Sequence, residues 1–171
     1  MNEMREHIRL YVEAPLAAGG EVSLSPGQTH YLRNVMRQNT GDSIGLFNGS
    51  DGEWRAIIRT LGKQSCTLEP QAQIQPQRQN PDLWLLCAPV KRTRMELIAE
   101  KATELGVREI HPVLTTYTSA PRVNVDRLTA IMIEAAEQCG LVSVPSVRQP
   151  EKLQTVLDRW PHQRRILFCD E

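Results

Sequence analysis

A change of pattern near residue 75 limits what this chain can fold into more than any other feature. Between residues 69 and 82 the chain carries Pro70, Pro76, Pro81 and five glutamines, with few apolar side chains. That is the composition of a linker. The hydrophobic period differs on its two sides, which a single sheet or bundle does not require. The pattern therefore predicts two units, residues 1–75 and 76–171, and a length of 171 residues accommodates two small domains.

The front unit reads as short strands over residues 8–12, 21–24, 43–47, 54–60 and 65–68. Turn signals separate them: Ala18-Gly19-Gly20, Thr40-Gly41-Asp42, and the run from Asn48 to Gly52. A helix interrupts the series after Ser25-Pro26, a good cap and first-turn pair. Its apolar residues Leu32, Val35 and Met36 recur at helical spacing. Short strands at this pitch predict a small β-barrel.

The back unit alternates strand and helix. Residues 83–88 form a continuous apolar run, as expected of a strand buried on both faces. Met95, Ile98, Ala102 and Leu105 then fall on one helix face, and Gly106 follows as a natural stop. Residues 107–114 read as a second strand. Asn124 can cap a second helix with the stripe Leu128, Ile131, Met132, Ala135 and Cys139, closed by Gly140. A weaker third helix is predicted over 151–160 and a third strand over 165–169. This alternation predicts a parallel sheet, whose ligands bind at the carboxyl ends of its strands. The sequence stops at Glu171, just after that last apolar run, and the expectation is of a truncated sheet.

Composition excludes some functions and supports few. Lys plus Arg and Asp plus Glu both number 20, so net charge gives no vote for nucleic acid, and RNA binding would have to come from local patches. Cys66, Cys87, Cys139 and Cys169 are far apart, with no C-x-x-C pair and no histidine at ligand spacing, so neither a metal site nor a disulfide framework is expected. The first seven residues are polar and charged, unlike a secretory signal. No apolar run approaches membrane length. A reduced, cytoplasmic protein is the expectation.

Four groups of residues could carry chemistry. Arg33 and Arg37 lie four apart on the first helix, near His30, with Arg9 on the first strand. Two guanidinium groups on one face suit phosphate contacts, and they equally suit a solvated face. Lys91, Arg92 and Arg94 sit between a strand's carboxyl end and a helix N-terminus, where the helix dipole disfavours cations. An anion such as RNA phosphate would offset that cost, or the long side chains simply reach water. Glu96, Glu100 and Glu104 repeat every fourth residue, a solvated face or interface more readily than an acid/base pair. Glu137 and Gln138 end the second helix, where an acid opposes the dipole, so Glu137 either has a specific partner or is exposed. No Ser-His-Asp arrangement, phosphate loop or G-x-G-x-x-G is present. His7, His111 and His162 stand alone, and Trp54, Trp84 and Trp160 read as core or domain-contact residues.

Longer ordered segments say more. The run from His30 to Arg37 (HYLRNVMR), followed by Thr40-Gly41-Asp42 and Leu46-Phe47-Asn48-Gly49, resembles the front domain of the RsmE family. Residues 91–107, ending Glu100-Lys101-Ala102-Thr103-Glu104-Leu105-Gly106-Val107, resemble that family's signature helix, and residues 133–140, with Val144-Pro145 beyond, are similar to its second motif. The resemblance implies an α+β two-domain protein: a PUA-like β-barrel that docks RNA, then an α/β SPOUT domain, Rossmann-like with a trefoil knot, working as a homodimer. It implies transfer of methyl from S-adenosylmethionine to N3 of a uridine in small-subunit ribosomal RNA, free or in the assembled small subunit. Carried over residue by residue, it implies RNA contacts at Arg9, His30, Arg33, Arg37, Lys91, Arg92 and Arg94. It gives Lys101, Glu104, Glu137 and Gln138 a substrate-side or supporting role. Two positions depart from the family's pattern: Tyr117 and Leu141 stand where it usually has arginine. The family's cofactor-holding segments are expected beyond Glu171, so this chain is expected to lack turnover alone. The competing readings are a non-catalytic RNA-binding module and a dimerisation fragment. Methylation of N3 would need the base unstacked and its proton removed, and no residue here is identified as the acceptor.

Overall fold

The computed structural model describes residues 8–118 and 122–169. The front sheet has five strands: β1 (Arg9–Tyr11), β2 (Val22–Ser23), β3 (Ser43–Phe47), β4 (Glu53–Leu61) and β5 (Cys66–Gln75). Their order is β1-β3-β4-β5-β2, with β1 parallel to β3 and the other pairs antiparallel. Register shifts near Trp54, Ala56 and Thr60 bend β4 and β5, as bulges do when a sheet curls. The sheet closes around Leu10, Val22, Leu32, Ile44, Leu46, Ile58 and Leu68. It is a half-barrel of the PUA-like kind.

The helix after Ser25 begins as expected. Ser25 Oγ accepts from the backbone N–H of Gln28, while the Gln28 side chain accepts from the N–H of Ser25. This reciprocal box satisfies two amides that a helix start leaves without partners. Helix α1 (Pro26–His30) then widens into a π-helical turn, Tyr31–Val35. The extra residue per turn rotates the stripe, so Leu32 is fully buried but Val35, expected in the core, points to water.

The supposed linker is shorter than its composition suggests. β5 runs to Gln75, because Pro70, Ala72, Gln73 and Gln75 pair against β4. Gly52 fixes the return of the chain. Its φ of +74° suits glycine, and a Cβ there would lie 2.3 Å from the Gln75 carbonyl oxygen. Its N–H donates to Gln77 Oε1 at 2.9 Å, and Gln77 Nε2 donates to Ser143 Oγ at 3.0 Å, tying the two units together.

The back unit is α/β. Strand β6 (Trp84–Cys87) is parallel to β7 (Glu109–Leu114), which is parallel to β8 (Ser146–Val147) and to β9 (Glu151–Lys152). Helices α2 (Arg92–Glu104) and α3 (Val125–Cys139) pack together through Met95, Ala99, Ala102, Leu128 and Met132. The two resemblance motifs are thus neighbours in one body. Asn124 Oδ1 accepts from Arg127 N–H at 2.9 Å, and Gly140 closes α3 at φ +72°. A short α4 (Leu153–Asp158) follows β9.

Five expectations about the back unit need correction. Residues 84–88 are half-buried and Leu83 is exposed, rather than buried on both faces, because β6 stands at the edge of the described sheet. Leu105 is exposed, since the helix ends before its side chain can turn inward. Cys139, expected on the apolar stripe of α3, is likewise exposed in that helix's last turn. Residues 165–169 form no strand: Ile166, Leu167 and Phe168 are exposed and no ladder partner meets them among the described residues. An apolar run becomes a strand only where another backbone pairs with it. His111 is not isolated. Its ring stacks on Trp84 with centroids 4.8 Å apart, and the Arg164 guanidinium covers the Trp84 ring at 3.7 Å. Trp160 meets Trp84 edge-on, so both tryptophans hold the back unit together.

Candidate RNA interface

The first cationic site forms where the front helix ends. Arg37 takes φ +53°, the left-handed conformation usually left to glycine. The turn lets Gln38 N–H donate to the Leu32 carbonyl at 2.9 Å, closing the helix end. Arg33 and Arg37 both line the resulting cavity of about 390 Å³, with Gln38, Asn39, Thr40 and Leu61. Both arginines and His30 are exposed. A polar hollow with two guanidinium groups on its wall can take a phosphodiester, since guanidinium forks match phosphate oxygens.

Arg9, expected to face RNA, has another task. Its side chain is 8% exposed. Nε donates to Glu53 Oε2 at 3.0 Å, Nη1 to the carbonyls of Ala136 at 2.7 Å and Glu137 at 3.0 Å, and Nη2 to that of Leu141 at 2.8 Å. The guanidinium also lies 4.6 Å from the Phe47 ring centre. It caps the C-terminal carbonyls of α3, where the helix dipole favours a cation, and so clamps the front sheet to the back unit. Sequence gives no hint of this, because the acceptors are backbone atoms more than 120 residues away.

Glu137 completes the clamp. Its Oε1 accepts from the backbone N–H of Tyr11 at 2.8 Å. Burial pushes its carboxyl above the usual range, with Glu134 adding to the rise; the Tyr11 amide and Arg9 oppose it. Gln138 is exposed beside it. Leu141, where the family usually has arginine, contributes its carbonyl to Arg9, and Tyr117 lies in solvent.

The second cationic site gathers at the N-terminal ends of α2 and α3. Lys91, Arg92 and Arg94 are all exposed, and Lys91 makes no side-chain cap to α2. Arg92 Nε and Arg127 Nε share Glu96 Oε1, at 3.0 and 3.4 Å. Arg92, and secondarily Arg127, hold the Glu96 carboxyl below its usual range. Arg127 was missed in the sequence, although a cation in the first turn of a second helix was the same signal that flagged Arg92. Further along α2, Lys101 Nζ bridges Glu104 at 2.7 Å and Glu100 at 2.9 Å. That makes the acidic stripe a solvated, ion-paired face. Lys101 and Glu104 pair on α2's exposed side and touch neither cavity.

Among the described residues no group of histidine, cysteine or carboxylate side chains could hold a metal ion, and no helix is long and apolar enough to cross a membrane.

Comparison with known proteins agrees with this geometry. A family model described as an RNA methyltransferase PUA domain matches residues 24–71, and one described as an RNA methyltransferase domain matches residues 77–171. The ribosomal RNA small subunit methyltransferase E of Rickettsia conorii is 32% identical over 164 residues, covering 95% of this chain and 66% of its own length. That of Synechocystis is 31% identical over 144 residues, covering 83% of this chain and 47% of its own length. This chain therefore spans about two thirds or less of these relatives. Among solved structures, the ribosomal RNA small subunit methyltransferase E of Neisseria gonorrhoeae bound to S-adenosylmethionine superposes with a TM-score of 0.84 at 26% identity, over 92% of this chain and 67% of that one. A putative methyltransferase of Legionella pneumophila, also in complex with that cofactor, gives 0.81 at 28% identity, over 91% of this chain and 67% of its own. By its two matched domains, its relatives and its fold, the chain belongs to the ribosomal RNA small subunit methyltransferase E family.

Proposed function

We infer that the protein docks small-subunit ribosomal RNA and methylates N3 of a uridine with S-adenosylmethionine, as a cytoplasmic homodimer. The observation that carries this reading is the hollow walled by Arg33 and Arg37, on a domain matched by an RNA methyltransferase PUA model. His30 stands beside it. Lys91, Arg92 and Arg94 extend the cationic surface on the back unit. Phosphate contacts of this kind fix register and orientation, whereas the choice of base rests with contacts to its edges.

The cavity on the back unit does not suit the cofactor's sulfonium. The cavity at the α2 and α3 ends is rimmed by Arg92, Arg122 and Arg127, and guanidinium groups repel a sulfonium cation. Residues 1–171 thus supply the RNA side of the reaction, and alone they are expected to bind RNA without turnover. This mismatch favours the RNA-binding module as the second reading.

Undermethylated small ribosomal subunits, incubated with the protein and methyl-labelled S-adenosylmethionine, test the first reading. Its prediction is labelled 3-methyluridine after nucleoside digestion once the remaining third of the family's length is supplied, and none with residues 1–171. Label in another nucleoside refutes the N3 assignment. RNA affinity should fall in Arg33→Ala/Arg37→Ala, with the salt slope smaller by about 2 for two lost phosphate contacts. An unchanged slope removes those arginines from the interface.

A further inference from the structure

The cavity between the N-terminal ends of α2 and α3 has a chemistry that phosphate docking alone does not explain. It holds about 340 Å³, the small end of the range for ligand sites. Its floor is apolar: Met95 and Leu128 are buried core residues, with Val90 and Val123 beside them. Its rim is cationic. Arg92, Arg122 and Arg127 carry three positive charges against one carboxylate, Glu96, which leaves a net charge of +2. Glu96 engages Arg92 and Arg127 through their Nε atoms. The terminal nitrogens of both guanidinium groups make no other hydrogen bond among the described residues, and neither does Arg122.

A solvated helix end needs no apolar floor, and a core pocket needs no ring of arginines. Both together match a ligand with a flat apolar face and an attached anion. We propose that this cavity binds one unstacked nucleotide of single-stranded RNA, its base against Val90, Met95, Val123 and Leu128 and its phosphate between Arg122 and Arg127. The proposal rests on the RNA reading above for its choice of ligand. The volume admits one nucleotide and not a stacked run. A base in a duplex cannot reach such a floor without leaving its stack. Arg92, paired with Glu96 through Nε, can offer its planar guanidinium for stacking as well as its charge. Glu96 is then a positioning residue that holds two arginines at the rim.

Titration of the protein with uridine 5′-monophosphate, followed by NMR, tests the assignment without ribosomes or cofactor. The nucleotide should shift signals of Val123 and Leu128. Uridine and inorganic phosphate, each holding half of the contacts, should bind at least about tenfold more weakly, as a loss of one charge-assisted contact implies. Arg122→Gln/Arg127→Gln should lower nucleotide affinity by about tenfold or more. Arg59→Gln/Lys63→Gln, which removes the same charge from exposed front-sheet positions, should leave it unchanged. Equal affinity for inorganic phosphate and the nucleotide would make this a plain anion site and overturn the proposal. So would an affinity indifferent to the Arg122/Arg127 change. Absence of 3-methyluridine in the ribosome assay, with the remaining third of the family's length supplied, would refute the catalytic reading while leaving this titration intact.

Discussion

Replacing Arg9 with methionine removes the clamp while keeping an unbranched side chain of similar reach against Phe47. Four charge-assisted hydrogen bonds disappear at once, one to Glu53, two to the α3 carbonyls of Ala136 and Glu137, and one to the Leu141 carbonyl just beyond that helix. At about 1.5–3 kcal/mol each they would sum to roughly 6–12 kcal/mol. That sum is too large, because contacts to one group act as a unit and the carbonyls recover water when the interface loosens. Removing one partner of a buried ion pair costs about 3–5 kcal/mol, and we take about 4. With a urea dependence of about 2 kcal/mol per molar, the unfolding midpoint should fall by about 2 M. Tryptophan fluorescence reads both units, since Trp54 lies in the front sheet and Trp84 and Trp160 in the back unit. Arg9→Lys should recover little of the loss, because a point charge cannot serve four acceptors that a planar fork reaches together. A midpoint shift below about 0.3 M for Arg9→Met would refute the reasoning, because an interaction worth so little must already be open to water.

Two other outcomes follow from the same coordinates. Glu137 is held above its usual carboxyl range, so the folded state binds its proton more tightly than the unfolded chain, and its contribution to stability is lost as pH rises from about 4.5 through the folded value. Glu137→Gln keeps the acceptor for Tyr11 and cannot ionise. The melting temperature of this variant minus that of the parent should therefore rise between about pH 4 and pH 7, and a flat or falling difference would contradict a buried carboxyl. Cys139 and Cys169 are exposed, whereas burial pushes the Cys87 thiol up to about 11 and also raises that of Cys66. Iodoacetamide at pH 8 should label Cys139 and Cys169 quickly and Cys66 and Cys87 only on unfolding. Rapid labelling of Cys87, read by peptide mass spectrometry, would place it outside the packed sheet.

The elements most legible in the sequence were those whose signal is local. Ser25 and Pro26 announce a helix start, Asn124 and Gly140 bracket α3, and the stripe from Leu128 to Ala135 is buried as its spacing requires. The extended segments around Lys91 and Ile133 carried the family relationship, because many ordered matches are informative where single residues are not. Errors came where partners lie far along the chain. The Gln-rich stretch reads as linker until β4 pairs with it, and residues 165–169 read as a strand although no backbone meets them. Val35 was misplaced because a π-helical turn shifts a helical stripe by one position.

The sequence by itself determined the two-unit plan, the start of α1, both ends of α3 and the cations at the start of α2, since these depend on periodicity, capping and composition over a few residues. Only the tertiary structure decided what the charges do. Arg9 was turned inward because Glu53 and the carbonyls of Ala136, Glu137 and Leu141, at and just past the end of α3, surround it. Arg33 and Arg37 were left on a hollow open to solvent. Arg92 and Arg127 were brought to one carboxylate above an apolar floor. An arginine's role is set by which acceptors reach its guanidinium, and those acceptors are distributed by the fold.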